Sequence, residues 1–189
     1  MAYSMAAKQG DHVSTNTAKL ALAVAMLLPA MAKADVADVS PTGFQLHIAV
    51  HIAAPPDKVY AALIQPAKWW SSDHAFSGSA ANLTLDAKAG GCFCEALPNG
   101  GSVEHLTVAT AMPGKTLRLR GALGPFQGLG IEGAMTWSLE AAGGQTDLTV
   151  TYDLGGHMKG GFGDWPQKAD AMVTGQVTRL KKFIETGAP

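Results

Sequence analysis

The stretch Phe44-Gln45-Leu46-His47-Ile48-Ala49-Val50-His51-Ile52 alternates large apolar residues with polar or small ones without a break, and Ala54-Pro55-Pro56-Asp57 follows it. A period of two over this length is a β-strand with one face on a core and the other in water. Five apolar residues share the inner face, so this strand already demands a partner layer. His47 and His51 fall on the wet face. Four-residue spacing would suit a pair of metal ligands on a helix, but on a strand it separates them by roughly 13 Å, and both read as surface groups.

The proline pair stops the strand and opens a short helix, with Val59, Ala62 and Leu63 on one side, which Pro66 then breaks. Lys68-Trp69-Trp70 leads into a polar loop from Ser71 to Ala81. Six further strands follow: Leu83 to Asp86, Cys92 to Leu97, Val103 to Ala109, Leu117 to Gly121, Ile131 to Glu140 and Thr146 to Leu154. Turn residues separate them, above all Asn99-Gly100, which suits a type I′ hairpin because both residues tolerate positive φ. The glycine-rich segment from Gly155 to Gly163 reads as a mobile loop. From Pro166 to about Thr186 the residues Ala169, Met172, Val173, Val177, Leu180 and Ile184 recur at helical spacing, with Asp164 as the expected cap and Gly187 as the stop. These elements predict an α+β domain in which a curved antiparallel sheet of about six to seven strands wraps around a long C-terminal helix, with two short helices after the first strand.

Ahead of this domain, Lys8 and Lys19 stand in a polar leader, the apolar run Leu20 to Leu28 follows, and Ala32-Lys33-Ala34 offers a small-x-small cleavage site. This order predicts a cleavable secretory signal over residues 1–34 and a single domain over 35–189. An amphipathic helix of the domain is the alternative, but Leu20 to Leu28 shows no polar face. The run is too short to span a bilayer, so no stable membrane insertion is expected once it is removed. The leader takes three of the 14 basic residues and one of the 15 acidic ones, leaving a net charge of −3 on the remainder. Such a balance argues against nucleic acid or an anionic membrane as the main partner. The expected location is periplasmic or secreted.

The order of elements resembles the START-like, or SRPBCC, superfamily, in its branch of polyketide cyclase/dehydrase and chaperone-ATPase-activator homologues. The resemblance rests on Ala54-Pro55-Pro56-Asp57-Lys58-Val59-Tyr60, Gly90-Gly91-Cys92-Phe93-Cys94-Glu95, Pro113-Gly114-Lys115-Thr116-Leu117, the Gly144 to Thr151 segment and Trp165 beside the last helix. It implies a helix-grip architecture enclosing a deep cavity for apolar small molecules. It does not choose among carriers, receptors, cyclases and chaperone cofactors.

Several residues are candidates for chemistry. A two-residue turn at Asn99-Gly100 would pair positions whose numbers sum to 199, setting Glu95 opposite Glu104 and Cys94 opposite His105. Phe93, Glu95 and Leu97 would then share an apolar side with Glu104, Leu106 and Val108. Two buried carboxylates side by side would repel, and one would hold a proton and serve as an acid. The alternative leaves them exposed or neutralised by Arg118 and Arg120, and a three-residue turn changes the pairing altogether. On the opposite face Cys92, Cys94 and His105 would form a sulfur and nitrogen cluster, but its spacing matches no zinc pattern and no metal is expected. The two cysteines are expected to be free thiols unless the strand is bulged, because a regular strand holds residues two apart about 6.6 Å from each other. No phosphate loop, nucleotide fingerprint or Ser-His-Asp order occurs, and no cofactor is expected.

Trp69, Trp70, Phe93, Met135, Trp137, Tyr152 and Trp165 are candidates to line a ligand cavity, with His74 at its mouth and Glu95 and Glu104 as polar groups within it; core packing is the alternative for the aromatics. The functional expectation is an exported binding protein for a small hydrophobic, lipid-like or aromatic molecule. The alternative is a cyclase, dehydratase or hydrolase using Glu95, Glu104 or His105 as acid or base. A chaperone-activator role is the poorest fit, since export separates it from cytosolic chaperones.

Overall fold

A computed structural model describes residues 33–189. Apart from its last two positions, the leader read over residues 1–34 lies outside the described residues. Eight strands form one antiparallel sheet: β1 Lys33–Ser40, β2 Gly43–Ile52, β3 Leu83–Leu85, β4 Cys92–Ala96, β5 Ser102–Met112, β6 Thr116–Arg120, β7 Gly130–Ala142 and β8 Gln145–His157. Their order across the sheet is β1-β2-β8-β7-β6-β5-β4-β3. Helix α1 spans Pro56–Leu63 and helix α2 spans Trp165–Thr186. The sheet and the long helix form the helix-grip α+β fold.

The alternation in β2 does what its period demands. Phe44, Leu46, Ile48, Val50 and Ile52 are all buried. Leu46 faces Tyr152, Ile48 faces Val150 and Val50 faces Leu148 on β8, which in turn face Met135, Trp137 and Leu139 on β7. Cross-strand rows of this kind stabilise a sheet and present a continuous apolar surface to the helix. Helix α2 covers that surface with Ala169, Val173, Val177 and Leu180, and Gly187 ends it in the left-handed region at φ 82°. Met172 and Ile184, from the same predicted stripe, are half-buried at its margins.

Several expectations change. A strand precedes the alternating one: β1 pairs with β2 and forms an edge of the sheet. The segment between α1 and β3 holds no second α-helix but three 3-10 turns, at Pro66–Lys68, Ser72–His74 and Ala80–Asn82. The glycine-rich segment is partly strand, since β8 continues through Gly155 and Gly156 to His157, and Phe162 beyond it is buried. Asp164 makes no side-chain cap. Its carboxylate pairs instead with Lys168, one turn along α2, at 2.8 Å.

The β4–β5 hairpin departs from its predicted register for an identifiable reason. Asn99 and Gly100 do adopt positive φ, 60° and 78°. However, Pro98 has no N–H to give to the Gly101 carbonyl, and the N–H of Leu97 takes that carbonyl at 2.9 Å. The connection therefore has three residues. Next to it Glu95 faces Val103 and Cys94 faces Glu104, one residue out of the expected pairing. Beyond a β-bulge the expected register returns, with Phe93 facing Leu106 and Cys92 facing Thr107. His105 is the extra residue of that bulge.

The cysteines are not free thiols. Cys92 and Cys94 form a disulfide, with their Cα atoms 5.3 Å apart instead of the spacing of a regular strand. Residues two apart can be bridged here because the ladder is irregular between Phe93 and Cys94. The sulfur and nitrogen cluster does not form either: the cysteines are bonded to each other on the outer face, and the shifted register turns His105 inward with Val103.

Candidate functional site

Where α2 begins, the sheet does not close on it, and a cavity of about 340 Å³ remains, partly open to solvent. Its helix side is Trp165, Ala169, Met172 and Val173. The sheet side is Tyr152, with Leu123, Pro125 and Phe126 from the loop after β6. Trp70, His74, Ala75 and Phe76 close it from the loop after α1, and His105 contributes the inward imidazole. Phe126 stacks edge-on to Trp165 with ring centroids 5.3 Å apart, and it also meets Phe44, which meets Phe162, so an aromatic cluster backs this wall.

The wall is fixed by polar groups that are themselves used up. The Tyr152 hydroxyl accepts the Leu123 N–H at 3.0 Å and donates to the Gly121 carbonyl at 3.2 Å, which pins the loop after β6. Burial pushes the Tyr152 phenol far above its ordinary pKa, so it stays protonated. Trp70 donates its indole N–H to the His74 carbonyl, and Trp69 to the Ala62 carbonyl, both at 3.1 Å. Gln176 is buried on α2 and accepts the Ser71 N–H at 2.9 Å, tying the same loop to the helix. Gln176 interrupts the apolar stripe and gave no sequence cue to this contact.

At the cavity's polar end stands one linked pair. Glu95 is 1% exposed and His105 6%, and Nε2 of His105 lies 2.9 Å from the Glu95 carboxylate. The same carboxylate accepts the backbone N–H groups of Phe76 at 3.1 Å and Ser77 at 2.5 Å. Burial raises the Glu95 pKa, but the hydrogen bonds from Ser77, His105 and Phe76 outweigh it and hold the carboxyl below its ordinary value. Glu95 is therefore an acceptor, and His105 donates Nε2–H to it. The imidazole lies against Phe93 and Phe76, with centroids 5.1 and 5.7 Å away. Its second nitrogen, Nδ1, is left to whatever enters from the cavity or the adjoining groove.

The expected site residues thus divide. Trp70, His74, Tyr152 and Trp165 line the cavity together with His105. Glu95 sits behind His105 and positions it. Trp69, Phe93, Met135 and Trp137 instead surround an interior space of only about 20 Å³, too small for a ligand, and serve as core. The pairing of Glu95 with Glu104 fails: Glu104 is exposed and accepts a hydrogen bond from Thr107 at 2.7 Å. Arg118 and Arg120 point outward on β6 and neutralise neither the cavity nor Glu95. Glu104 and Arg120 line an outer polar groove of about 520 Å³ that touches His105 from its other side. Phe76, Leu123, Phe126 and Met172 went unread as lining residues because they lie in loops or at the edge of a helix stripe, where periodicity carries no signal.

Similar architectures are found among solved structures. A conserved protein of unknown function from Enterococcus faecalis is 17% identical, with 84% of this chain and 79% of that one covered and a TM-score of 0.58. CalU16 from Micromonospora echinospora is 16% identical, with 84% of each chain covered and a TM-score of 0.54. Aha1 from Colwellia psychrerythraea, solved as a dimer in solution, is 20% identical, with 77% and 98% covered and a TM-score of 0.52. At such identities these likenesses show the fold alone. No curated protein matches the chain. Residues 44–185, however, match the family described as polyketide cyclase / dehydrase and lipid transport, a stretch that includes every residue lining the cavity. The chain belongs to that family, within the SRPBCC superfamily.

Proposed function

We propose that this domain is an exported protein that holds a small hydrophobic molecule in the cavity between the sheet and the start of α2. The observation that carries this reading is the cavity itself. Its wall is mainly aromatic and aliphatic, with the exposed side chains of Asp73, His74 and Lys168 as its charged or polar members, it is large enough for a ligand, and a single buried imidazole stands ready to orient one polar group. The family's description, which joins cyclases and dehydrases to lipid transport, supports an apolar cargo. The Cys92–Cys94 disulfide supports export, because such bonds persist in oxidising compartments. Native mass spectrometry of the protein purified from its exported fraction tests the reading: a co-purifying apolar mass is expected. Ala169→Phe, which projects a ring into the cavity from α2, should abolish that mass while leaving the fold intact. Equal occupancy in the two proteins would sink the proposal.

The Glu95–His105 pair favours a second reading, acid–base chemistry on the bound molecule. The neutral ring accepts a proton at Nδ1 and the imidazolium returns it, while the carboxylate stabilises the charged form. A 1,3-diketone probe measures this directly through exchange of its acidic C–H for deuterium. The rate should exceed that of a His105→Asn variant, and equal rates would remove the enzyme reading.

A further inference from the structure

The disulfide and the bulge occupy the same point of the sheet. Cys92 and Cys94 lie on the outer face of β4, and both residues are half-buried. Directly opposite, β5 carries the extra residue His105. Phe93, between the two cysteines, packs against His105 and against Trp70, with centroids 5.1 and 5.4 Å apart. Glu95, next to Cys94, holds His105 and the backbone of Phe76 and Ser77. Both ends of the bridge are therefore one residue away from side chains that shape the cavity and its rim.

A bond closing a ring between residues two apart removes little chain entropy from the unfolded state, because that contribution grows with loop length. Stabilising the fold is a poor account of it. What it does is shorten β4 locally: the Cα atoms stand 5.3 Å apart where a relaxed strand places them near 6.6 Å. Both strands thus bend at one place, β4 through its bridge and β5 through its bulge.

We propose that Cys92–Cys94 is a redox-active disulfide that sets the position of the Glu95–His105 pair, with a small-molecule or protein dithiol as its reductant. A thiolate of the dithiol attacks one cysteine sulfur, the Cys92–Cys94 bond breaks, and a mixed disulfide forms. The dithiol's second thiol then displaces the remaining cysteine thiolate. In balance, the bridge gains two electrons and two protons, and the dithiol is oxidised to a disulfide. Once β4 lengthens, Phe93 and Glu95 shift along the strand, and the hydrogen bond that fixes His105 is lost. The inference goes beyond ligand binding and does not depend on what the cavity holds.

The test uses the folded mature protein and dithiothreitol, with thiol alkylation read by mass and the His105 Nε2–H proton read by NMR. Expected are the gain of two alkyl groups under native conditions, unchanged circular dichroism, and loss of the slowly exchanging Nε2–H signal. Oxidised glutathione should restore that signal in unalkylated protein. A Cys92→Ser, Cys94→Ser double variant should reproduce the reduced spectrum. Alkylation that requires denaturant, unfolding on reduction, or an Nε2–H signal unmoved by reduction would each overturn the proposal. None of these readouts involves a cavity ligand, so a failure here is distinct from a failure of the binding reading.

Discussion

Glu95→Gln tests the energetic centre of the site, because the substitution keeps the side chain's size and removes only its charge and one acceptor. In the folded protein the two carboxylate oxygens take three N–H donors: Ser77 on one, Phe76 and His105 on the other. The glutamine carbonyl can keep the donors of one oxygen at best. Its amide group then points its own hydrogens at the donor left over, so at least one charge-assisted hydrogen bond is lost, at roughly 1.5–3 kcal/mol. The bonds that survive fall from charged to neutral strength, about half, which adds about 1 kcal/mol for each. The total is about 3–5 kcal/mol, a large part of the roughly 5–15 kcal/mol that holds an ordinary domain together. Urea unfolding followed by tryptophan fluorescence reads this loss, since Trp69 and Trp70 lie close to the site. A loss below about 1 kcal/mol, under the cost of a single charged hydrogen bond, would refute the assignment of Glu95 as an ionised, triply bonded carboxylate.

The same variant fixes the sign of the pH dependence. The folded-state pKa of Glu95 is held below its ordinary value of 4.5, so the unfolded chain binds this proton more readily than the folded one. The stabilisation it supplies is fully present above about pH 4.5 and is lost as pH falls through the folded-state value. Wild type and Glu95→Gln should therefore differ most near neutrality and converge on acidification below pH 4.5. A constant difference across that window would contradict the depressed pKa.

Tyr152→Phe removes the acceptor of the Leu123 N–H and the donor to Gly121, and should cost about 1–2 kcal/mol; a melting temperature lowered by about 2–8 °C and faster exchange at Leu123 are the signs. Leu180→Ala, at a fully buried position of α2, should destabilise by about 2–5 kcal/mol in thermal or urea unfolding, and a near-neutral result would mean that α2 does not pack on the sheet as described. His51 is bonded to Asp147 and to Gln145, and both raise its pKa; an NMR titration should place it above 6.5 in the wild type and lower in Asp147→Asn.

What the sequence makes legible is whatever a period can carry. Strand β2 and helix α2 stand out because their apolar residues repeat at two and at three to four over long stretches, and both are buried as that patterning requires. Strand β1 hides for the opposite reason. In Lys33–Ser40 the apolar residues Val36 and Val39 stand three apart, out of phase for a regular strand, and they come opposite Leu46 and Phe44 on one side only because the ladder skips at Ala37; Val39 is still largely exposed at the sheet edge. The cavity wall is least legible of all. Leu123 and Phe126 come from a loop whose shape depends on a hydroxyl 29 residues ahead of Leu123 in the chain, Tyr152. Gln176 reads as a break in a stripe until its partner at Ser71, 105 residues away, is known.

The hairpin shows how little separates the expected site from the one that forms. Two chemistries compete for the inner face of β5 opposite Glu95: a second carboxylate, Glu104, or an imidazole, His105. A register set by a two-residue turn brings the carboxylates together, where burial would set like charges against each other. Pro98 cannot donate the N–H that such a turn requires, so the ladder starts one residue out and Glu104 faces water. The sheet cannot stay one residue out, because Leu106 and Val108 would then lose the inner face to Thr107 and Ala109. A single extra residue repairs the phase, and that residue is His105. It is turned inward beside Leu106, so two neighbouring residues of one strand are buried together. The proline and the bulge thus form one device: the shift set by the first turns Glu104 to water and brings His105, two residues after Val103, to the inner face, and the second returns Leu106 and Val108 to that face without displacing it. A carboxylate that would have been an unstable acid becomes an ionised anchor that orients a histidine at the edge of an apolar cavity.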